Sequence, residues 1–97
     1  MAEEQTKEKG IKVTDFPMYT VYSDGRVWSD YQYRFLNQKT TYQQYAILRL
    51  KSKGKEERHF VHTLVARHFL PNPENSIDIL HINGRKKDNR VDNLRWV

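Results

Sequence analysis

Residues 80–97 constrain this chain more than any other stretch, because they combine a turn, a histidine, a basic run and a tryptophan. Asn83-Gly84 is a strong tight-turn signal, since both residue types tolerate a positive φ. Residues 77–81 predict a short strand, which would place His81 at a strand end beside that turn. The basic run of residues 85–87 follows at once. A histidine that titrates near neutral pH beside cations suited to phosphate is typical of phosphodiester chemistry.

The rest of the chain predicts short hairpins and then a helix. Residues 19–22 and 26–29 are β-branched and aromatic runs around a Ser-Asp-Gly turn, and residues 34–36 are a further short strand. Residues 45–51 alternate apolar and polar side chains, and residues 52–55 make the turn to a returning strand at 56–61. Val61, Leu64, Val65 and Phe69 have helical spacing, and Pro71 ends the helix. The predicted fold class is therefore α+β, with small antiparallel hairpins and one central helix.

Size and composition limit the organisation of the chain. Its 97 residues predict one domain, with a disordered polar tail at residues 1–12 and the domain at 13–97. The predicted core draws on both tryptophans and on residues of the helix and the C-terminal segment: Trp28, Phe60, Leu64, Val65, Phe69, Leu94 and Trp96. The absence of cysteine excludes a disulfide framework and a cysteine-ligated zinc site. Without a long apolar run or a signal peptide, we expect a soluble cytoplasmic protein with no membrane partner and no small-molecule substrate.

Charge is distributed unevenly. Residues 1–41 hold six Lys and Arg against six Asp and Glu, whereas residues 42–97 hold eleven against six, so the second half carries the whole net charge of +5. A one-sided positive field suits a polyanion such as DNA. The candidate phosphate-binding residues form two clusters, one on the 49–58 hairpin and one at 85–95: Arg49, Lys51, Lys53, Lys55, Arg58, Arg85, Lys86, Lys87, Arg90 and Arg95. The hairpin cluster is equally typical of an edge hairpin kept soluble by lysine.

His81, Gly84, Asn89, Asn93, Leu94 and Trp96 together form a pattern that resembles the core of the HNH homing endonucleases of phages and introns. Residues 60–66 with 71–73 resemble the helix that precedes this motif in the family. Residues 19–29 resemble the small N-terminal module often fused to such nucleases. The resemblance implies a module-like hairpin at 13–41 and an HNH-like part at 42–97 with a ββα-metal motif. It also implies His81 as the general base of DNA cleavage and Asn93 as the residue that holds the ring or loop.

Two departures from the family pattern predict an inactive member. The resemblance implies a metal-binding acid before the catalytic histidine, where this chain has Leu80. It also implies a last metal ligand, His or Asn, on a helix after the tryptophan, and Val97 is the last residue here, so the motif is expected to be incomplete and truncated. We therefore expect no metal ligands and no cofactor, with Mg²⁺ or Mn²⁺ required only if the site is active.

The remaining polar residues of interest have structural interpretations. His59, His62 and His68 lie on or beside the hairpin-to-helix segment, but their spacing is a poor match to a metal site and we expect no carboxylate to cluster with them. Asn89 is interpreted as a turn residue that caps its own backbone, while Asn93 stays undecided between that role and the catalytic one.

Three functions compete for this sequence. The first is a catalytically inactive HNH-like protein that binds DNA, or a phage regulator or inhibitor derived from one. The second is an active metal-dependent endonuclease that takes its missing ligands from a partner or from Asn83 and Asp78. The third is a module that uses the same fold to bind a protein, such as a host or phage enzyme.

Overall fold

A computed structural model describes residues 9–97 of the chain. Within these residues there are nine strands, one α-helix and a 3-10 helix at Val91–Asn93. The elements follow one another as β1 (Gly10–Val13), β2 (Phe16–Tyr22), β3 (Val27–Ser29), β4 (Arg34–Phe35), β5 (Lys39–Thr40), β6 (Ala46–Ser52), β7 (Lys55–Phe60), α1 (Val61–Phe69), β8 (Ile79–His81) and β9 (Leu94–Trp96). The predicted α+β class, with antiparallel hairpins and a helix between them, is confirmed.

The first sheet has the order β1-β2-β3-β4, with every pair antiparallel. The β2–β3 hairpin turns where the sequence predicts it, and Gly25 in that turn has a φ of +97°. A side chain could not easily replace this glycine, since an added Cβ would lie 3.2 Å from Asn89 of the C-terminal segment. Val91 N–H donates to the carbonyl of Ser23 at 2.8 Å, so the turn is bonded to that segment as well.

The second sheet has the order β5-β6-β7 and is also antiparallel. The predicted alternation on β6 is confirmed, because Ala46, Leu48 and Leu50 are buried and the residues between them face outward. The β6–β7 hairpin turns through Lys53 and Gly54, which both have positive φ. The returning strand ends at Phe60, because Val61 already begins the helix.

Helix α1 joins the three sheets. Val61, Leu64, Val65 and Ala66 are buried on the face that the spacing predicts, and the helix packs against strands of all three sheets. It ends before Pro71, which cannot continue a helix. A half-buried histidine on its last turn is bonded at both ring nitrogens: His68 Nδ1–H donates to the carbonyl of Leu64 at 2.8 Å, and Nε2 accepts Thr14 N–H at 3.0 Å. The structural interpretation of this histidine agrees with these contacts.

The third sheet is the pair β8–β9, with Ile79 opposite Trp96, Leu80 opposite Arg95 and His81 opposite Leu94. The predicted strand began at residue 77, but Ile77 is 88% exposed and lies outside the ladder. The strand is therefore shorter than its apolar sequence suggests, while His81 lies at its end as predicted.

The core differs in part from the predicted one. Leu64, Val65 and Leu94 are buried, but Phe60 is 43% exposed. The register explains this, since Phe60 pairs with Ile47 on the face of the second sheet that points away from the buried leucines. Both tryptophans are only half-buried. The centre consists instead of aliphatic side chains, among them Val21, Val27, Leu50, Val61 and Val65, each 0% exposed.

The predicted tail at residues 1–12 also needs a correction. Residues 1–8 lie outside the described residues, but residues 10–12 belong to β1. Ile11 pairs with Val21 and Lys12 with Thr20, so pairing with the edge of β2 orders this segment. In the described part of the chain, no helix is both long and apolar enough to cross a membrane.

Candidate functional site

His81 lies at the end of β8 with 8% of its surface exposed. Its Nε2–H donates to Oδ1 of Asn89 at 2.7 Å, because an amide oxygen can only accept. In the neutral ring Nδ1 is then the nitrogen that can take a proton. The interpretation of Asn89 as a turn cap is wrong: it is buried, 4% exposed, and orients the histidine. The spacing within the motif could not distinguish which asparagine reaches the ring.

Asn93 holds the loop and does not touch the ring. Its Oδ1 accepts Asn83 N–H at 2.9 Å. Its Nδ2 donates to Oδ1 of Asn83 at 3.0 Å and to the carbonyl of Asp88 at 2.8 Å. This 4% exposed side chain therefore closes the loop that carries Arg85, Lys86 and Lys87. Of the two roles considered for Asn93, the geometry supports holding the loop and not capping its own turn.

A cluster of aromatic rings extends from His81 toward the second sheet. The His62 ring lies 5.1 Å from the His81 ring and 5.1 Å from the Tyr45 ring, between centroids. Phe60 continues the cluster at 5.7 Å from Tyr45. Lys86 Nζ lies 4.9 Å from the Tyr45 centroid, within reach of a cation–π interaction. Neither Tyr45 nor this use of Lys86 could be inferred from the sequence, because the two are far apart along the chain.

His62 is the most perturbed titratable group in this cluster. Burial, and next the nearby His81, lower the pKa of His62 from 6.5 to about 4. Its Nδ1 is buried without a hydrogen-bond partner. At neutral pH His62 is thus an uncharged ring that packs against His81, and the positive charge of this region comes from lysine and arginine.

The hairpin cluster occupies the outward face of the second sheet. Arg49 lies directly opposite Arg58, and Lys51 directly opposite Glu56. The carboxylate of Glu56 also lies 3.6 Å from Arg49, so it offsets part of the charge. Lys53 and Lys55 are exposed at the tip of the hairpin, where they line a neighbouring cavity of about 600 Å³. Four of the five predicted cations of the hairpin thus lie on one face or its tip without an acidic partner within salt-bridge distance among residues 9–97.

The cluster at residues 85–95 divides into three parts. Arg85, Lys86 and Lys87 line an open cavity of about 760 Å³ beside Gln44. Arg90 differs from these three residues because its charge is paired: its guanidinium donates to both carboxylate oxygens of Asp88 at 2.8 and 2.9 Å. This bonding lowers the pKa of Asp88 and raises the pKa of Arg90. Arg95 lines a different cavity with Pro71 and Trp96.

Lys86 connects the two basic clusters. Its Nζ donates to the carbonyl of Gln43 at 3.2 Å, and Gln43 lines the cavity that also contains Arg49 and Arg58. The second-sheet face and the loop 85–87 therefore form one continuous positive surface, which we name the basic surface. Arg34 and Lys39 line the same cavity and were missed, because they lie in the half of the chain whose charges cancel. The pairing of residues 39–40 with β6 brings Lys39 to this cavity, and that pairing is seen only in the folded chain.

Comparisons with known proteins agree with this geometry. A family model described as HNH endonuclease matches residues 59–97, which hold α1, β8 and β9. A solved structure of the HNH homing endonuclease I-HmuI, described as showing DNA binding and cleavage, is 30% identical. It superposes with a TM-score of 0.86 over 92% of this chain and 52% of its own.

The chain is similar to the HNH homing endonucleases in sequence and in fold.

Two proteins of Acanthamoeba polyphaga mimivirus, each named an uncharacterized HNH endonuclease, are also similar. One is 28% identical over 93% of this chain, and the other is 30% identical over 88% of it. This chain spans about a quarter of the length of these curated relatives, 27% of one and 22% of the other. The likeness extends over both the hairpins and the HNH-like segment, as the sequence pattern predicted.

The HNH-like segment does not offer a hard divalent cation the oxygen ligands it needs. Leu80 stands at the position of the acid and is 40% exposed on β8 opposite Arg95. Asp88 is bonded to Arg90 and to Asn83 Nδ2, and Asn83 Oδ1 accepts from Arg85 N–H and Asn93. Residues 9–97 contain no group of three His, Asp or Glu placed to hold a metal ion. The residues therefore do not fit Mg²⁺ or Mn²⁺, which need several oxygen ligands.

Proposed function

We propose that this chain binds DNA through its phosphates and does not cleave it by itself. The basic surface supports this proposal, because it joins two clusters that are far apart in the sequence, at residues 49–58 and 85–95, through Lys86 and Gln43. Lysine and arginine on one continuous face bind the regularly spaced phosphates of a nucleic acid and release its counterions. DNA binding by the solved relative is in line with this role.

We infer the absence of cleavage from the oxygen ligands that the HNH-like segment offers to a metal ion. His81 keeps an acceptor nitrogen and an orienting partner in Asn89, so a base is available. Phosphodiester hydrolysis in such a site also needs positive charge on the developing phosphorane and a bound nucleophile, which a metal ion supplies when one is held. Leu80 and the bonded Asn83 and Asp88 do not provide the oxygen ligands for it.

A mobility-shift assay with variants tests the binding. The double variant Lys51→Ala/Arg58→Ala removes two exposed cations from the basic surface and should weaken binding to all duplexes alike, since phosphate contacts carry no sequence information. Arg67→Ala is the matched control, because Arg67 is exposed on α1 and lines a different cavity. No shift of duplex or single-stranded DNA at low salt would overturn the proposal and favour a module that binds a protein.

A nicking assay on supercoiled plasmid tests the absence of cleavage. With Mg²⁺ or Mn²⁺ we expect the chain to nick no faster than its His81→Ala variant. Leu80→Asp should restore little, because one carboxylate does not make a site for a hard cation. Metal-dependent nicking that His81→Ala abolishes would show that the chain is an active endonuclease.

A further inference from the structure

The basic surface contains a cavity of about 980 Å³ between the end of the first sheet and the outward face of the second, which we name the Tyr42 groove. Its walls come from β4, the 36–43 connection, β6 and β7. Among its described lining residues, five are cationic (Arg34, Lys39, Arg49, Lys51 and Arg58) and one, Glu56, is acidic. The groove is thus strongly positive over a small area.

Two aromatic rings in this groove are open to solvent. Tyr42 is 95% exposed and Phe60 is 43% exposed. Phe60 meets Tyr45 edge-on at 5.7 Å and lies 5.3 Å from the His62 ring at an interplanar angle of 31°, so part of its ring is covered and the exposed part remains open to a base. Phe60 faces outward because it pairs with Ile47, so its ring contributes little to the core. Exposed aromatic rings among cations are typical of surfaces on which nucleotide bases stack.

Resting on the proposed function, we propose that the Tyr42 groove binds an unpaired strand of nucleic acid. Bases stack on Tyr42 and Phe60, while the cations of β6 and β7 contact the phosphates. Arg49 and Arg58 stand directly opposite each other on adjacent strands, so they offer paired positive charge beside the Phe60 ring.

The aromatic rings distinguish an unpaired strand from a duplex. In a duplex the faces of the bases are stacked on one another and only their edges are open in the grooves. An open ring such as that of Tyr42 then has no base face to meet, and only the cations would contribute. An unpaired strand can use both, because every base has a free π face.

Fluorescence anisotropy with three labelled probes of equal length tests this inference. The probes are a single-stranded oligothymidylate, the duplex formed with its complement, and a strand of abasic sites that carries the same phosphates without bases. At one fixed salt concentration we expect the oligothymidylate to bind at least about tenfold more tightly than the abasic strand, since stacking on one ring gives this order of gain. Tyr42→Ala should remove most of that difference.

Matched variants make the result specific. Tyr33 is 80% exposed but does not line the groove, so Tyr33→Ala should leave the preference for bases unchanged. Phe60→Leu keeps an apolar side chain and should reduce the preference without unfolding the protein. Equal affinity for the abasic and base-bearing strands, or no effect of Tyr42→Ala and Phe60→Leu, would overturn the groove assignment. Binding of the duplex would in that case leave the proposed function standing, whereas failure of all three probes to bind would overturn both.

Discussion

Replacing Asn93 tests the reassignment of the two asparagines most directly. The side chain makes three hydrogen bonds, of 2.9, 3.0 and 2.8 Å, and all three hold the loop that ends at Asp88. Asn93→Ala removes them together and leaves Asn83 N–H and the carbonyl of Asp88 without this partner. Each such bond contributes about 1 kcal/mol net, and a buried group left unpaired costs about 1–3 kcal/mol.

The expected loss in the free energy of unfolding is therefore about 2–4 kcal/mol. In a domain of this size that corresponds to a melting temperature lower by roughly 8–30 °C. Thermal and urea denaturation followed by circular dichroism measure both quantities. Asn37→Ala is the matched control, because Asn37 is exposed and an exposed change of this kind usually costs within about 0.5 kcal/mol.

Asn93→Asp tests whether the loop needs the amide nitrogen of Asn93 as a donor. The aspartate keeps one acceptor for Asn83 N–H, but its second oxygen would face the Asn83 Oδ1 and the Asp88 carbonyl, which also only accept. We expect this variant to be at least as unstable as Asn93→Ala, since it buries a charge against two acceptors. An Asn93→Ala protein that melts within a few degrees of the unsubstituted one, or an Asn93→Asp protein as stable as the unsubstituted one, would refute the reasoning.

Three further predictions follow from the packing and the pKa of His62. Gly25→Ala should cost about 1–3 kcal/mol more than Gly54→Ala, since both glycines have positive φ but only Gly25 has a neighbour within 3.2 Å of an added Cβ; equal melting temperatures would contradict this. The pKa of His62 is lowered to about 4, so the unfolded chain binds more protons. Stability should be full above pH 6.5 and fall by about 2 kcal/mol as pH drops toward 4, allowing for the partial exposure of the ring, and His62→Gln should flatten this fall in urea titrations at several pH values. Trp96→Ala should cost about 2–3 kcal/mol, because the ring is only half-buried, and an unchanged urea midpoint would show that β9 does not depend on it.

The local elements of the fold follow from sequence patterns because each depends on neighbouring residues. The alternation over β6 buries Ala46, Leu48 and Leu50 as expected, and the spacing of Val61, Leu64 and Val65 gives the buried face of α1. Strand β1 was missed, since it is only four residues long, follows a polar segment and depends on pairing with β2. The burial of Phe60 was predicted wrongly, because Phe60 lies where the spacing of buried side chains changes from two residues in a strand to 3.6 in a helix. The pairing of β7 with β6 decides which way its side chain points.

The candidate site was predictable in its members but not in their roles. The motif spacing identified His81, Asn89 and Asn93, whereas only the folded loop shows that Asn89 reaches the ring and Asn93 reaches the backbone. The charge count could not reveal that Arg90 is bonded to Asp88. It also could not reveal that Lys86 connects the loop to the second sheet, because that contact joins residues 43 positions apart.

A salt titration of DNA affinity tests the central claim, that the basic surface binds phosphates. If roughly five phosphates are neutralised, the logarithm of the association constant should fall against the logarithm of salt concentration with a slope of about −4 to −5, since each duplex phosphate contributes about −0.9. Replacing Arg85, Lys86 and Lys87 with alanine should make the slope less steep by two to three, with equal loss of affinity on unrelated sequences. A slope near zero, or the same slope in the triple variant and the unsubstituted chain, would contradict the account.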